Sequence, residues 1–291
     1  MKESKYIVIR FISKFSKKFF PNSFYGIIMF LRFRNKFKRS INRLKSSNFH
    51  SKNLDNINNH EFKITSQNNE DGIIEFIFKK IPNNKIFVEI GFDYYEFNSL
   101  NLIKNRWSGI LIEQNSEKCL LLQKLLNFYY SKSNVKIINN SVTIKNINTL
   151  FLDQTIKDGI DFLSIDIDGN DYWILKTLDL EKISCVCLEY NHWLGPNNKK
   201  TIPYSEEHNF EDNGYFGASL LALNDLMNKK GFKLVAIDSS GTNAFFVKDK
   251  FSSLFEILDP IESFKSIGRL YTEEQKKKIF KDIKTFNFID V

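Results

Sequence analysis

The sequence predicts an α/β domain built on a doubly wound sheet of seven strands, mostly parallel, with one antiparallel hairpin strand. Three observations predict it. From residue 62 onward, apolar runs of strand length alternate with helical patterns, the arrangement of a sheet whose crossover helices cover its faces. The last two runs, 232–238 and 244–247, are separated by the turn residues Ser239-Ser240-Gly241 with no helix between them, so they form a hairpin. Several runs also end in an acidic residue, at the carboxyl edge where open α/β sheets bind ligands. An architecture of this kind is Rossmann-like.

The elements follow in order. Residues 86–90 (IFVEI) read as the first strand and 98–106 as the helix after it. Residues 109–112 (GILI) are the second strand, followed by a helix over 117–129. Residues 135–138 are the third strand. Residues 162–167 are the fourth, leading to a helix over 171–178. Residues 185–190 (CVCLEY) are the fifth, and 218–230 form a long helix that Gly231 ends. Residues 251–291 read as helical, with Thr272 and Gln275 spaced as a capping box. The expected division is a basic amphipathic segment and polar linker at 1–61, the α/β domain at 62–250 and a helical extension at 251–291.

The chain has 291 residues, 42% of them hydrophobic, enough for one full α/β domain with extra segments or for two small ones. Charge is unevenly placed. Residues 1–45 hold thirteen Lys or Arg and the single acid Glu3, a net of +12, so the remaining residues carry −4 of the total of +8. Nucleic-acid binding by the main domain is thereby disfavoured. Within 5–20, Val8, Phe11, Ile12, Phe15 and Phe19 recur at helical spacing, with Arg10, Lys14, Lys17 and Lys18 between them. A basic amphipathic helix suits an anionic membrane surface or a packing surface on a domain or second subunit. No apolar stretch approaches the 18 or so residues of a spanning helix. The interrupted apolar run at the start, with no small-residue cleavage site after it, does not read as a signal peptide. Three cysteines, Cys119, Cys185 and Cys187, do not suggest a disulfide framework, and the expected location is the cytoplasm, peripheral to the inner face of a membrane if the basic segment binds there.

The strand ends carry the candidate chemistry. The first ends in Glu89-Ile90-Gly91, where a glycine lets backbone approach a ligand. No second glycine follows in 92–98, so a dinucleotide fingerprint is absent. The second ends in Glu113, placed to accept bonds from ribose hydroxyls, 22 residues after Gly91. The fourth ends in Asp166-Ile167-Asp168, two carboxylates on one strand face that raise each other's pKa or require a cation. Asp171 is expected to cap the following helix. The fifth ends in Glu189, on the strand end adjoining Asp166, and is followed by His192, a candidate base. Asp166 and Glu189 are also candidate ligands for a hard divalent ion such as Mg²⁺. The long insertion at 193–217 brings aromatic residues, among them Tyr204, Tyr215 and Phe216, suited to a flat apolar or sugar surface.

Several segments together resemble the FkbM-type methyltransferases and a neighbouring methyltransferase-like group. They are Ser66-Gln67-Asn68-Asn69-Glu70-Asp71-Gly72, Trp107-Ser108-Gly109 with Glu113 beyond it, 161–171 (DFLSIDIDGND), 214–219 (GYFGAS) and 241–247 (GTNAFFV). The resemblance spans roughly residues 62–250 and implies a class I methyltransferase fold with S-adenosylmethionine as cofactor. It implies that Glu89, Gly91, Glu96, Asn98 and Glu113 bind the methionine and ribose parts, that 139–141, including Asn140 and Ser141, flank the adenine, and that Asp166 lies near the transferred methyl. The activity implied is O-methylation of a sugar or glycoconjugate hydroxyl, with Asp166, Asp168, Glu189 or His192 as base and Tyr204, Tyr215 and Phe216 facing the acceptor. The alternative is a catalytically inactive binding or scaffold module on the same fold, serving surface-glycan assembly.

Overall fold

The computed structural model describes residues 56–94, 96–130, 132–152, 156–266 and 271–291. The expected amphipathic helix at 5–20, the basic run after it and most of the linker lie outside the described residues. The linker's final stretch is folded. A 3-10 turn at Ile57–His60 is capped by Asn56, Ile57 is buried, and His60 stacks on Phe76 at 4.1 Å.

The predicted sheet is present. Its strands are β1 (Ile86–Ile90), β2 (Ser108–Glu113), β3 (Val135–Asn139), β4 (Ile160–Ile165), β5 (Ile183–Glu189), β7 (Phe232–Ile237) and β8 (Asn243–Lys248), in the order β3-β2-β1-β4-β5-β8-β7. The pairs among β1 to β5 are parallel, and β8 runs antiparallel to both of its neighbours, β5 and β7. The hairpin turn is drawn tight by Asp238, whose carboxylate accepts from the N–H groups of Ser240, Gly241, Thr242 and Asn243.

Alternation along the strands decides which helices cover which face. Val88, Ile90, Ile110, Ile112, Leu163, Val186 and Leu188 point to one side. There they pack with α5 (Asp171–Thr177) and α6 (Leu220–Lys229) through Ile174, Leu175, Leu223 and Met227. Phe87, Leu111, Phe162, Cys185 and Cys187 point to the other. They meet α1 (Glu70–Lys80), α2 (Leu100–Lys104) and α3 (Ser116–Tyr129) through Ile73, Ile77, Leu102 and Leu122. A short α4 spans Ile147–Leu150. Each large apolar side chain buried this way contributes roughly 1.5–3 kcal/mol before entropy is counted.

Three expectations are corrected. The fourth strand stops at Ile165, so Asp166 and Asp168 lie in the turn beyond it rather than on a strand face, and Asp168 adopts a left-handed φ of 57°. The helix expected over 98–106 shrinks to the five residues of α2, because Glu89 holds Asn98 and Ser99 in the preceding loop. The C-terminal region is only partly helical. A 3-10 stretch at Asp249–Leu254 is followed by an irregular segment. Then come α7 (Glu273–Asp282), which carries the expected Thr272–Gln275 capping box, and β9 (Ile289–Asp290). β9 pairs antiparallel with β6 (Lys200–Thr201) inside the insertion. Trp193, Phe216 and Ile279 form a small separate core that fastens α7 there. Among the described residues, no helix is long and apolar enough to cross a membrane.

Candidate active site

A cleft of about 350 Å³ opens where β1, β2, β4 and β5 end at their carboxyl edge. This is at the lower end of the range of small-molecule sites, roughly 300–1,000 Å³. Its wall takes in Glu89, Gly91, Glu96, Asn98, Glu113, Asn140, Ser141, Asp166, Asp168, Glu189 and Tyr204. The structure therefore brings most of the sequence-predicted residues together.

The turn after β1 shows why glycine is needed there. Gly91 has φ +75°, and a Cβ on it would lie 1.7 Å from the carbonyl oxygen of Asp166. Only a residue without a side chain lets the β1 and β4 turns touch and form the cleft floor. Phe92 and Phe97, which border the cleft, bury most of their rings beneath it. Phe92 and Phe97 are each 4% exposed and pack their rings together at 5.7 Å in the core. The Phe92 N–H turns toward Glu113 instead, donating to Oε2 at 3.3 Å, while Asn115 N–H donates to Oε1 at 2.7 Å. Each Glu113 oxygen keeps accepting capacity toward the cleft. Asn139 ties its Nδ2 to the carbonyls of Glu113 and Gln114, 2.9 Å each, and so holds the β2 and β3 ends in register.

Glu89 is 2% exposed and is a clamp for the loop. Its carboxylate accepts from Asn98 N–H at 2.9 Å, Ser99 N–H at 2.7 Å and the Ser99 hydroxyl. Burial raises its pKa to about 7 against the lowering effect of those bonds. The Asn98 side chain points inward as well, donating to Ser164 Oγ at 3.0 Å. Glu96 is paired with Lys63 at 3.3 Å.

The acidic group is the most distinctive part of the site. One carboxylate oxygen from each of Asp166, Asp168 and Glu189 lies within 4.8 Å of the others. Burial, then repulsion from neighbouring carboxylates, pushes Asp166 and Glu189 well above the usual range. Burial and Asp171 raise Asp168 to about 6. Asp171 sits at the start of α5, but its carboxylate does not cap that helix. It accepts from the N–H groups of Ile167 and Gly169, 2.9 Å each, and holds the turn that carries Asp166 and Asp168.

Three predicted residues are not in the cleft wall. His192 is 4% exposed, tilted against Trp193 at 4.6 Å, and burial lowers its pKa to about 4, so it is neutral at pH 7 and set into the small C-terminal core. Phe216 packs in that same core. Tyr215 lies against Phe286 and Phe288 and donates to the Asn287 carbonyl at 3.2 Å. The aromatic insertion thus spends these rings on holding the C-terminal segment. Tyr204 alone of the aromatic candidates reaches the cleft, where its hydroxyl accepts from Ile144 N–H at 3.4 Å.

The structure adds Gln67, Lys118, Glu206, His208 and Asn243 to the wall. Gln67 arrives because the 66–72 element folds on itself. Asp71 accepts from the N–H groups of Ile64, Thr65 and Ser66, and Glu70 accepts from Asn68 N–H at 2.7 Å and Asn243 Nδ2 at 2.8 Å. The motif was visible in sequence, but its reach across to β8 was not.

No protein-family model matches the chain, and no curated protein matches it. Among solved structures it is similar to the N-terminal domain of EvdMO1 with SAH bound, at 12% identity over 63% of this chain and 80% of that one, with a TM-score of 0.43. It is similar to magnesium protoporphyrin IX methyltransferase (ChlM) from Synechocystis PCC 6803 with bound SAM, at 9% identity over 62% and 77%, TM-score 0.40. It is also similar to an S-adenosylmethionine-dependent methyltransferase from Clostridium acetobutylicum ATCC 824, at 9% identity over 62% and 90%, TM-score 0.39.

Proposed function

We propose that the chain is an S-adenosylmethionine-dependent O-methyltransferase of the FkbM type, acting on a hydroxyl of a sugar or glycoconjugate. The observation that carries this reading is a single cleft that joins a ribose-type acid, Glu113, and the Gly91 turn to the acidic group Asp166, Asp168 and Glu189. The residues fit the cofactor. Glu113 keeps lone pairs free for two ribose hydroxyls, Gly91 leaves bare backbone at the β1 turn, and Asn140 and Ser141 border the place for a flat base. When bound, the cofactor supplies a methyl group already activated on a sulfonium.

The protein's own task is then to orient the acceptor and receive its proton. Asp166 and Glu189 suit the second role, because raised carboxylates are stronger bases than ordinary ones. His192 does not share it, lying outside the cleft wall. The cleft also selects by charge. Asp93, Glu113, Asp166, Asp168 and Glu189 line it together with Lys118, which disfavours phosphate-bearing acceptors and favours neutral ones. With a hard divalent ion present, the same three carboxylates would supply its oxygen ligands, and Asp166 and Glu189 would then hold the ion in place of receiving the proton.

Calorimetric titration of the protein with S-adenosylmethionine and S-adenosylhomocysteine, with and without Mg²⁺, tests the reading. Micromolar binding is expected. Absence of binding under both conditions refutes the cofactor assignment, and binding that is indifferent to Mg²⁺ removes the metal from the proposal.

A further inference from the structure

We propose that Tyr204 is the aromatic wall for the cofactor's base, so that the long insertion serves the nucleoside end of the cleft and not the acceptor end; this rests on the S-adenosylmethionine reading above. The expectation from sequence set this ring against the acceptor. Its contacts lie elsewhere. The Tyr204 hydroxyl accepts from Ile144 N–H at 3.4 Å and donates to Glu206 Oε1 at 3.3 Å. Glu206 Oε1 in turn lies 2.8 Å from Lys145 Nζ. The insertion is thus fastened just past Asn140 and Ser141, the pair that borders the place for the base, and Val142 and Thr143 line the same cleft. That loop is braced from within. Asn146 Oδ1 accepts from Thr143 N–H at 2.8 Å, and Asn146 Nδ2 donates to the Ser141 carbonyl at 2.8 Å.

One residue further on, the chain is tied the other way. Asn170, in the turn after β4, donates from Nδ2 to the Ser205 carbonyl at 2.7 Å, and Ser205 N–H donates back to Asn170 Oδ1 at 3.3 Å. In the sheet, β2 and β1 stand between β3 and β4, which are therefore three strand spacings apart, roughly 14 Å. Adjacent residues fastened to the loops that follow both strands draw those loops together beside the ends of β2 and β1, where Glu113 and Gly91 line the same cleft. The Tyr204 hydroxyl gives its hydrogen to Glu206 and has none to offer a sugar. What it leaves to the cleft is the carbon surface of an uncharged ring, and such a surface suits the flat face of a nucleobase.

Calorimetry on the full chain separates the two ends of the cleft. The probes are S-adenosylhomocysteine and 5′-methylthioadenosine, which carries the nucleoside without the amino-acid part. Tyr204→Ala is expected to raise Kd about tenfold for both probes, and by the same factor, the effect of taking one aromatic face from a base. Tyr204→Leu keeps apolar bulk in the insertion and is expected to show most of this loss. Tyr204→Phe keeps the ring and gives up the hydroxyl contacts, and is expected to stay within about threefold of the wild type. Unchanged affinity for 5′-methylthioadenosine in Tyr204→Ala and Tyr204→Leu overturns the proposal. A Phe variant as weak as the Ala variant also overturns it, because the hydroxyl contacts and not the ring then account for the loss. So does a wild type that binds S-adenosylhomocysteine but not the nucleoside fragment, because the base then has no grip of its own. Failure of the wild type to bind either probe overturns the cofactor reading beneath.

Discussion

A carboxylate at the end of a buried strand is costly unless donors answer it, and the end of β1 answers Glu89 with two backbone N–H groups and a hydroxyl. Glu89→Ala leaves those donors unsatisfied in a buried loop, an expected loss of about 3 kcal/mol. In a melting experiment that is a fall of about 6–12 °C. Asp166 and Glu189 behave in the opposite way, since no hydrogen bond or cation of the described residues relieves their mutual repulsion. Asp166→Asn or Glu189→Gln is expected to cut turnover about a hundredfold or more and to raise the melting temperature. An unchanged turnover in both variants refutes their role as bases. The pH dependence follows from the same groups. The pKa of Asp168 is raised to about 6 and that of Glu89 to about 7, with Asp166 and Glu189 raised as well, so the folded chain holds protons that the unfolded chain has released. Their contribution is full below pH 4 and is lost as pH rises through the folded values. His192, lowered to about 4, works the other way, but only below its unfolded value near 6.5. Between pH 6.5 and 8 the melting temperature is therefore expected to fall, and Asp166→Asn is expected to flatten the slope.

At the scale of elements, the strands were readable because their apolar runs are bounded by polar turns, as in 109–112 and 185–190. One element was not, and another was misread only at its end. α1 begins Glu70-Asp71-Gly72, polar residues that belong to the cleft-side fold of the preceding element, and its apolar stripe starts only at Ile73. β4 was read in place but ends at Ile165, two residues short of its expected end, because Asp171 pulls the N–H groups of Ile167 and Gly169 into a turn. The candidate site was legible where it lies at strand ends, in Gly91, Glu113, Asp166 and Glu189. It was illegible where distant segments meet. His208 is brought to the site by the Asn170–Ser205 pair and by its contact with the Asp168 carbonyl, and Tyr215 and Phe216 are drawn off to α7 and the C-terminal strand, a pairing that local pattern does not encode.

For the whole molecule, charge is divided between parts. Residues 1–45 carry +12 while the cleft is lined mostly by acids, so the proposed attraction to an anionic surface and the proposed binding of a neutral acceptor fall to separate segments. The full chain is expected to sediment with vesicles rich in anionic lipid and a form lacking residues 1–45 to stay in the supernatant. Sedimentation of the truncated form rules the basic segment out as the anchor.

The sheet order has a further consequence. β7 touches the rest of the sheet only through β8, which follows it in the chain, and β3 forms the opposite margin with a half-buried face. The hairpin must therefore arrive at β5 as one piece, and it must leave as one piece. Amide deuteration should reach β3 first, by fraying, while β7 and β8 exchange together at a common rate set by a single cooperative opening.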